Sequence, residues 1–197
     1  MRPRTALLAV VAAALVVPTP AMAKAKPKPK PKPLPKACLL MEDAKDDGDW
    51  NTASVVKSPA LDIQSADVAT GPTEFVAVLR LGSTNFSSDQ FAVLGYSWRL
   101  GASAGGARYE FGLRRGGTGS YNLEGSIGGQ AIPNLKYEIG NNQIVWRFPR
   151  KGIAALTRPN LVFTSFGANS NVLSSTADDA QSNKQYKDRQ PSCVLAK

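Results

Sequence analysis

The sequence predicts an all-β protein, an antiparallel two-sheet β-sandwich of the jelly-roll kind with about eight or nine strands. Apolar and polar residues alternate with a period of two over much of residues 60–170. Gly, Pro and Asn pairs interrupt this alternation at short intervals, as turns between strands do. No long amphipathic helix separates the runs, and one short helical turn is expected near residues 151–157. Strands without intervening helices pack as two facing sheets.

The first 23 residues have the pattern of a secretory signal peptide. Arg2 and Arg4 form its positive end, an apolar run follows over residues 6–17, and Ala21–Ala23 fits a small-residue cleavage site. The apolar run of 12 residues is too short to span a bilayer as a helix. We therefore expect a secreted, extracellular protein with no transmembrane segment in its mature chain.

Residues 24–36, in which Lys and Pro alternate, are expected to form a disordered tether. Proline fixes φ and lacks an N–H, so this segment predicts an extended polyproline II conformation. Of 24 basic residues, two lie in the signal peptide and six in the tether, so 16 remain beside all 15 acidic residues. The tether is either adhesive toward anionic cell-surface polymers or a passive tail. Nucleic acid is disfavoured as a partner, because no aromatic residues are interleaved with the lysines.

Residues 37–197 are expected to form a single β-sandwich domain closed by a disulfide between Cys38 and Cys193. These are the only two cysteines, and in an exported protein an even number predicts a bridge. A pair of free thiols is the alternative. The bridge would hold the two ends of the domain together.

The strands are predicted, in order, over residues 60–69, 74–82, 90–100, 107–115, 119–125, 135–140, 143–149 and 160–170. Two asparagines, Asn141 and Asn142, form a hairpin turn, since Asn tolerates positive φ. The alternation places Trp98 and Trp146 in the core, together with Leu94, Tyr96, Leu100, Tyr109, Phe111, Leu113, Ile144 and Phe148.

Charged residues on these strands alternate with the apolar ones and are expected on a solvated face. They are Arg80, Arg99, Arg108, Glu110, Arg114, Glu124 and Arg147. Cross-strand ion pairs are the simplest interpretation, each contributing about 0.2–1 kcal/mol. The alternative is that one sheet presents a charged face to a ligand.

The absence of histidine excludes several catalytic designs. Ser-His-Asp and Cys-His nucleophiles, imidazole bases and most catalytic zinc sites need this residue. A glycosidase needs only two carboxylates across a cleft, and the strand residues Glu110, Glu124 and Glu138 offer them. Because these residues lie among arginines, we expect them to be paired rather than catalytic.

Two acidic stretches, residues 42–50 ("EDAKDDGDW") and 177–180 ("ADDA"), raise the question of a metal. The first stretch does not fit the EF-hand pattern, because aligning Gly48 with the invariant glycine puts Lys45 and Ser54 at positions where the pattern needs oxygen ligands. A disulfide between the chain ends would bring both stretches together. Structural calcium would then be held by carboxylates drawn from Asp43, Asp46, Asp47, Asp49, Asp178 and Asp179. The alternative is two solvated loops neutralised by nearby Lys and Arg.

Residues 58–81, "SPALDIQSADVATGPTEFVAVLRL", combine "LDI", "ADVA", a Gly-Pro turn and an apolar strand, after the acidic entry "DDGDW". This segment resembles secreted actinobacterial β-sandwich domains similar to family-nine-like carbohydrate-binding modules and DOMON-type domains. The resemblance implies a jelly roll, structural calcium in some members, and a sugar or other extracellular ligand. Such members hold sugars between exposed aromatic rings, which here leaves Trp50, Tyr137 and Tyr186 as candidate ligand-binding residues.

Together these observations predict a secreted, non-catalytic binding module for cell-wall or extracellular polysaccharide, with a basic tether for anionic surfaces. Two other classes stay open. One is a structural or protein-interaction domain, which a flat charged face without a pocket would favour. The other is a carboxylate-dependent enzyme acting on glycans, which a cleft with two carboxylates roughly 5–10 Å apart would favour.

Overall fold

The computed structural model describes residues 39–51, 55–87, 89, 91–173 and 175–189, with the backbone alone at 49–51 and 55–56. These residues all belong to the second of two compact units, Pro33–Lys197. The predicted signal peptide, the Lys/Pro tether and both cysteines, Cys38 and Cys193, lie outside the described residues. Within the described part, no helix has the length and apolarity needed to cross a membrane.

The fold is all-β, as predicted, with every strand pairing antiparallel. A five-stranded sheet has the spatial order β1 (Met41–Glu42), β4 (Ile63–Thr70), β5 (Glu74–Leu81), β11 (Gln143–Pro149), β10 (Lys136–Gly140). A seven-stranded sheet has the order β13 (Ser175–Ser182), β12 (Val162–Val172), β6 (Tyr96–Ala104), β7 (Ala107–Arg115), β8 (Tyr121–Ile127), β9 (Gln130–Ala131), with β14 (Tyr186–Lys187) beside β12. A separate hairpin pairs β2 (Asp49–Asn51) with β3 (Val55–Lys57).

Both sheets contribute to one aromatic core, which gives the domain its sandwich-like form. Phe75 of β5 stacks on Phe111 of β7 with ring centroids 5.5 Å apart. Trp146 of β11 and Trp98 of β6 are fully buried, so the core positions predicted for both are confirmed. Their indole N–H groups donate to backbone carbonyls, at 2.9 Å to Ala60 for Trp98 and 3.3 Å to Gly112 for Trp146.

The predicted turns are confirmed, and the largest difference in a strand boundary is at the strand predicted to begin at residue 90. Asn141 and Asn142 both have positive φ, 52° and 56°, as a two-residue hairpin requires. The helical turn is a single 3₁₀ turn, Ala154–Thr157. The strand predicted to begin at residue 90 begins instead at Tyr96, because residues 91–94 form a turn that ends at Gly95 with φ 84°. Leu94 is therefore 37% exposed rather than in the core.

The second acidic stretch, residues 177–180, lies in β13, so the alternative of two solvated loops is wrong for this stretch. Its residues pair along β12, with Asn169 opposite Asp179 and Ser170 opposite Asp178, and a register irregularity follows between Ser170 and Asn171. Strand alternation then separates the two carboxylates. Asp178 is buried and Asp179 is exposed, so they lie on opposite faces of the sheet.

The outer faces of the two sheets differ in polarity. The five-stranded sheet carries a small second apolar cluster of Val76, Val78 and Val145. Arg80, expected on a solvated face, forms a largely buried ion pair at 2.6 Å with Asp67 of the neighbouring strand. The corresponding face of the seven-stranded sheet is charged and polar, and it carries the larger of the two candidate sites described below.

Candidate functional site

Three carboxylates from the two acidic stretches meet at one end of the sandwich, and we call them the acidic triad: Asp43, Asp47 and Asp178. One carboxylate oxygen of each lies within 4.8 Å of those of the other two. Asp43 follows β1, Asp47 precedes β2, and Asp178 lies on β13. The juxtaposition of stretches about 130 residues apart, expected from the sequence, is therefore present in the fold.

Backbone contacts with the start of β4 hold the first acidic stretch in place. The Asp43 N–H donates to the Gln64 carbonyl at 3.1 Å, and the Asp47 N–H donates to Asp62 Oδ1 at 3.2 Å. Gly48 packs so closely that a Cβ there would lie 2.5 Å from the Asp62 Cα. Any larger residue at position 48 would push the loop away from β4, which is why this position needs glycine.

Burial and mutual repulsion make the triad electrostatically costly without a cation. Burial raises the pKa of Asp43, and the neighbouring charge of Asp47 raises it as well. Burial raises the pKa of Asp178 to about 7, with added contributions from Asp43 and Asp47, although the Ile63 N–H hydrogen-bonds its Oδ2 at 2.6 Å. Asp43 Oδ2 is buried and accepts no hydrogen bond from an N–H or hydroxyl group of the described residues. A hydrogen bond with the Asp178 side chain lowers the pKa of Asp43, so a protonated Asp178 is the partner that the metal-free triad offers.

The other predicted metal ligands do not join the triad. Asp46 is exposed in the left-handed conformation, with φ 63°, and its carbonyl accepts a hydrogen bond from Lys57 Nζ. Asp179 points to the outer face and accepts from Gln181 Nε2 at 3.3 Å. The side chain of Asp49 lies outside the described residues.

Sequence reasoning missed Asp62, a carboxylate that is buried beside the triad. Its Oδ1 accepts from the Asp47 N–H and its Oδ2 from Gln64 Nε2 at 3.1 Å. The only sequence signal was an acidic residue inside the apolar run "ALDIQ". A buried carboxylate that accepts backbone N–H bonds orders a loop, and here it orders the loop that carries Asp47.

Of the three aromatic residues predicted to bind a ligand at the surface, Tyr186 is buried, so that prediction is wrong for it. Tyr186 is 1% exposed, because β14 pairs with β12 opposite Phe163 and directs the ring into the core. Its hydroxyl accepts a hydrogen bond from the Thr70 N–H at 3.0 Å. Tyr137 is half-buried, with its ring 5.7 Å from that of Tyr121. The side chain of Trp50 lies outside the described residues.

The outer face of the seven-stranded sheet carries a groove of about 880 Å³, which we call the sheet groove. Residues from β6, β7, β8, β12 and β13 line it. Cross-strand register places Gly167 opposite Gly101, and Gly112 opposite Arg99, so three glycines lie on neighbouring strands. Without side chains at these positions, the floor of the groove is low.

The walls of the sheet groove are charged and polar. The lining side chains that carry charge or an amide are Arg99, Arg108, Glu110, Glu124, Asn169, Asp179, Gln181 and Asn183. Arg99 and Glu124 lie 4.0 Å apart and are 67% and 60% exposed, so this pair is weak and accessible. The lining aromatics Phe111 and Phe166 turn their rings to the core.

The ion pairs expected on the charged strands form in part. Arg108 Nε lies 3.9 Å from Glu110 Oε1 on the same strand. On the five-stranded sheet, Arg147 contacts Glu74 at 3.5 Å and Glu138 at 3.6 Å. Glu138 is therefore held by an arginine outside the sheet groove, whereas Glu110 and Glu124 both line the groove.

Comparison with known proteins returned no match: no family model, curated protein or solved structure matches this chain.

Proposed function

We propose that this chain is a secreted, non-catalytic binding module whose ligand is an extracellular polysaccharide, such as a cell-wall glycan, bound in the sheet groove. The single observation that carries the proposal is the groove itself, about 880 Å³ with a glycine floor and polar walls. That volume lies within the range of ligand sites in proteins. A flat charged face, by contrast, would have favoured a structural role.

The shape and chemistry of the groove suit an extended polyol. Its walls come from five adjacent strands, which at a spacing of about 4.8 Å span roughly 19 Å. Carboxylates and amide oxygens accept hydrogen bonds, while guanidinium and amide N–H groups donate them. Sugar hydroxyls both donate and accept, so a glycan chain can use both kinds of group along one groove.

Part of the proposal is that calcium occupies the acidic triad as a structural ion. Ca²⁺ takes six to eight oxygen ligands, so the three carboxylates would be completed by carbonyls or water. Asp43 Oδ2, which is buried and accepts no hydrogen bond from an N–H or hydroxyl group of the described residues, would gain a ligand bond. The cation would also offset the repulsion that raises the pKa of Asp178.

Export and surface association complete the proposal. The signal-peptide pattern supports secretion, and the Lys/Pro tether supplies positive charge for anionic cell-surface polymers. Residues 58–81 resemble secreted sandwich domains that bind a sugar or another extracellular ligand, and the proposal extends the sugar-binding role to this chain. The groove differs from sites in such domains, because its described lining presents no exposed aromatic ring.

The polysaccharide proposal is tested by affinity electrophoresis and calorimetry of the purified chain with a panel of soluble glycans. We expect saturable binding to at least one glycan, weakened in Asn169→Ala and Gln181→Ala, whose amides line the groove. The control is Gln143→Ala on the five-stranded sheet, which should bind as the wild type does. Absence of binding to every glycan in the panel would contradict the proposal.

The calcium proposal is tested by thermal melts with calcium and with excess chelator. Calcium should raise the Tm by several degrees in the wild type and not in Asp43→Asn. Asp46→Asn is the matched control, because Asp46 belongs to the same loop but lies outside the triad. A wild-type Tm that calcium does not change would refute a structural calcium site.

A specific observation keeps the enzymatic alternative as a second candidate. Glu110 and Glu124 both line the sheet groove, and in the β7–β8 register Glu110 faces Ser126 while Glu124 faces Gly112. The Cα atoms of such diagonal neighbours lie roughly 7–8 Å apart, and flexible glutamate side chains there can bring their carboxylates to the roughly 5–10 Å separation that glycosidases use. Release of reducing ends from a bound glycan, abolished in Glu110→Gln and Glu124→Gln, would favour the enzyme over the binding module.

A further inference from the structure

The floor of the sheet groove is occupied by one side chain, Arg108. Its guanidinium lies over Gly101: a Cβ added to that glycine would be 2.7 Å from Arg108 Cζ. A Cβ on Gly167, the cross-strand neighbour of Gly101, would be 3.8 Å from Arg108 Nη2. The two glycines therefore leave the space in which this guanidinium lies flat against the sheet.

A backbone irregularity of β12 points toward the same group. The β12–β6 register shifts between Thr164 and Gly167, and Ser165, inside this bulge, has φ 53°. Its carbonyl accepts a hydrogen bond from Arg108 Nη1 at 2.9 Å. Positive φ is costly for a serine, and bulges redirect groups at functional sites. Two glycines and a strained serine thus hold one exposed arginine in a defined position.

The remaining N–H groups of Arg108 are open to the groove. Nε lies 3.9 Å from Glu110 Oε1, too far for a hydrogen bond. Nη2 has no hydrogen-bond acceptor among the described residues, and the side chain is 45% exposed. A held guanidinium with unused donors loses little side-chain entropy when it binds a ligand, because its geometry is already fixed.

We propose that Arg108 is the ligand-anchoring residue of the sheet groove and that its ligand is an uncharged, hydroxyl-rich glycan chain. The inference rests on the proposed function and adds to it both the anchor and the class of sugar. The planar fork of Arg108 can donate to two neighbouring sugar oxygens, while Glu110 accepts from a hydroxyl beside them.

The mixed charge of the groove disfavours strongly charged polymers as ligands. Two guanidinium groups, Arg99 and Arg108, face three carboxylates, Glu110, Glu124 and Asp179. A polyanion would bring its charges against three like charges, and a polycation would meet both arginines. Like charges across an interface lower affinity for the wrong partner, so this mixed lining favours a neutral chain.

The test measures binding of the full chain to hydroxyethyl cellulose, dextran and N-acetylated chitin oligosaccharides, all neutral, and to polygalacturonate, an anionic glycan. We expect binding to at least one neutral glycan that changes less than twofold between 50 and 300 mM salt. Arg108→Lys keeps the charge but loses the fork, and Gly101→Ala displaces the guanidinium. Each should weaken that binding at least tenfold.

Gly140→Ala is the matched control, because nothing lies within 4 Å of a Cβ there and the residue is outside the groove. It should bind as the wild type does. Gly101→Ala should fold, since the atoms that its Cβ meets belong to the far end of a flexible side chain. If its Tm falls nonetheless, Arg108→Lys, which changes no backbone position, decides the question.

The outcomes separate this inference from the proposed function. Wild-type binding that Arg108→Lys and Gly101→Ala leave unchanged would overturn the anchor and leave the polysaccharide module standing. Preference for polygalacturonate, lost at high salt, would overturn the neutral class. Failure of the wild type to bind any of the four glycans would remove the proposed function and this inference with it.

Discussion

Replacing Asp178 by Asn should stabilise the metal-free protein at pH 8, although Asp178 is 92% buried and hydrogen-bonded. Burial raises its pKa from 3.8 to about 7. Ionising this buried carboxyl above pH 7 therefore costs roughly 4 kcal/mol more in the folded protein than in the unfolded chain. Asparagine removes this cost, keeps an oxygen for the Ile63 N–H and offers an N–H to Asp43 Oδ2. Because neighbouring charges relax, we expect a gain of about 1–4 kcal/mol.

The pH dependence follows from the sign of the shift. A carboxyl whose pKa is raised in the folded state contributes no penalty below its unfolded pKa, near 3.8, and loses stability as the pH rises toward 7. The advantage of Asp178→Asn should therefore be absent near pH 4, grow between pH 4 and 7, and stay constant above. Calcium should stabilise the wild type alone and so reverse the order of the two proteins.

The assay is urea unfolding in chelator at pH 4 and pH 8, and at pH 8 with calcium. Asp179→Asn is the control, since that neighbouring residue is exposed on the opposite face and should change stability by less than 0.5 kcal/mol. If Asp178→Asn were less stable than the wild type at pH 8 in chelator, the electrostatic account of the triad would be refuted.

Two further predictions concern stability elsewhere. Arg150 binds Asp188 through two hydrogen bonds, at 2.6 and 2.7 Å. Burial raises the pKa of Asp188, but the hydrogen bonds from Arg150 and Thr70 outweigh burial, so the pKa lies below its usual value. Asp188→Asn should lower the free energy of unfolding by about 3–5 kcal/mol at pH 7, and by less below about pH 4, where the wild-type carboxyl is protonated as well. Urea unfolding at the two pH values measures this, and an equal loss at pH 3 would contradict it. Asn141→Val, at φ 52°, should cost about 1–2 kcal/mol by thermal melting and Asn141→Gly little; equal effects would refute the turn assignment.

The regular strands were predictable because their two faces differ in polarity. Residues 107–115 and 143–149 have the predicted bounds, and their alternation places Phe111 and Trp146 in the core. The polar strand β13, "STADDAQS", carries no such signal, so its sequence does not predict a strand. Its pairing with β12 is a tertiary effect that local propensity does not reveal.

The candidate sites were predictable to different degrees. Asp43 and Asp47 meet Asp178, as we expect from a disulfide that joins the two ends of the domain, although both cysteines lie outside the described residues. The choice between Asp178 and Asp179 depends on which face of β13 each residue lies on, because successive strand residues point to opposite faces. The position of the Arg108 guanidinium depends on the cross-strand register that puts Gly101 opposite Gly167, and a single sequence does not reveal that register.

An amide chemical-shift map of the ¹⁵N-labelled protein, recorded during titration with the neutral glycan that binds best, would locate the polysaccharide site. We expect saturable shifts concentrated on the outer face of the seven-stranded sheet, with those of Gly101, Gly112 and Gly167 among the largest. Shifts centred on the five-stranded sheet, or a spectrum unchanged by every glycan, would contradict the claim that the sheet groove is a polysaccharide-binding site.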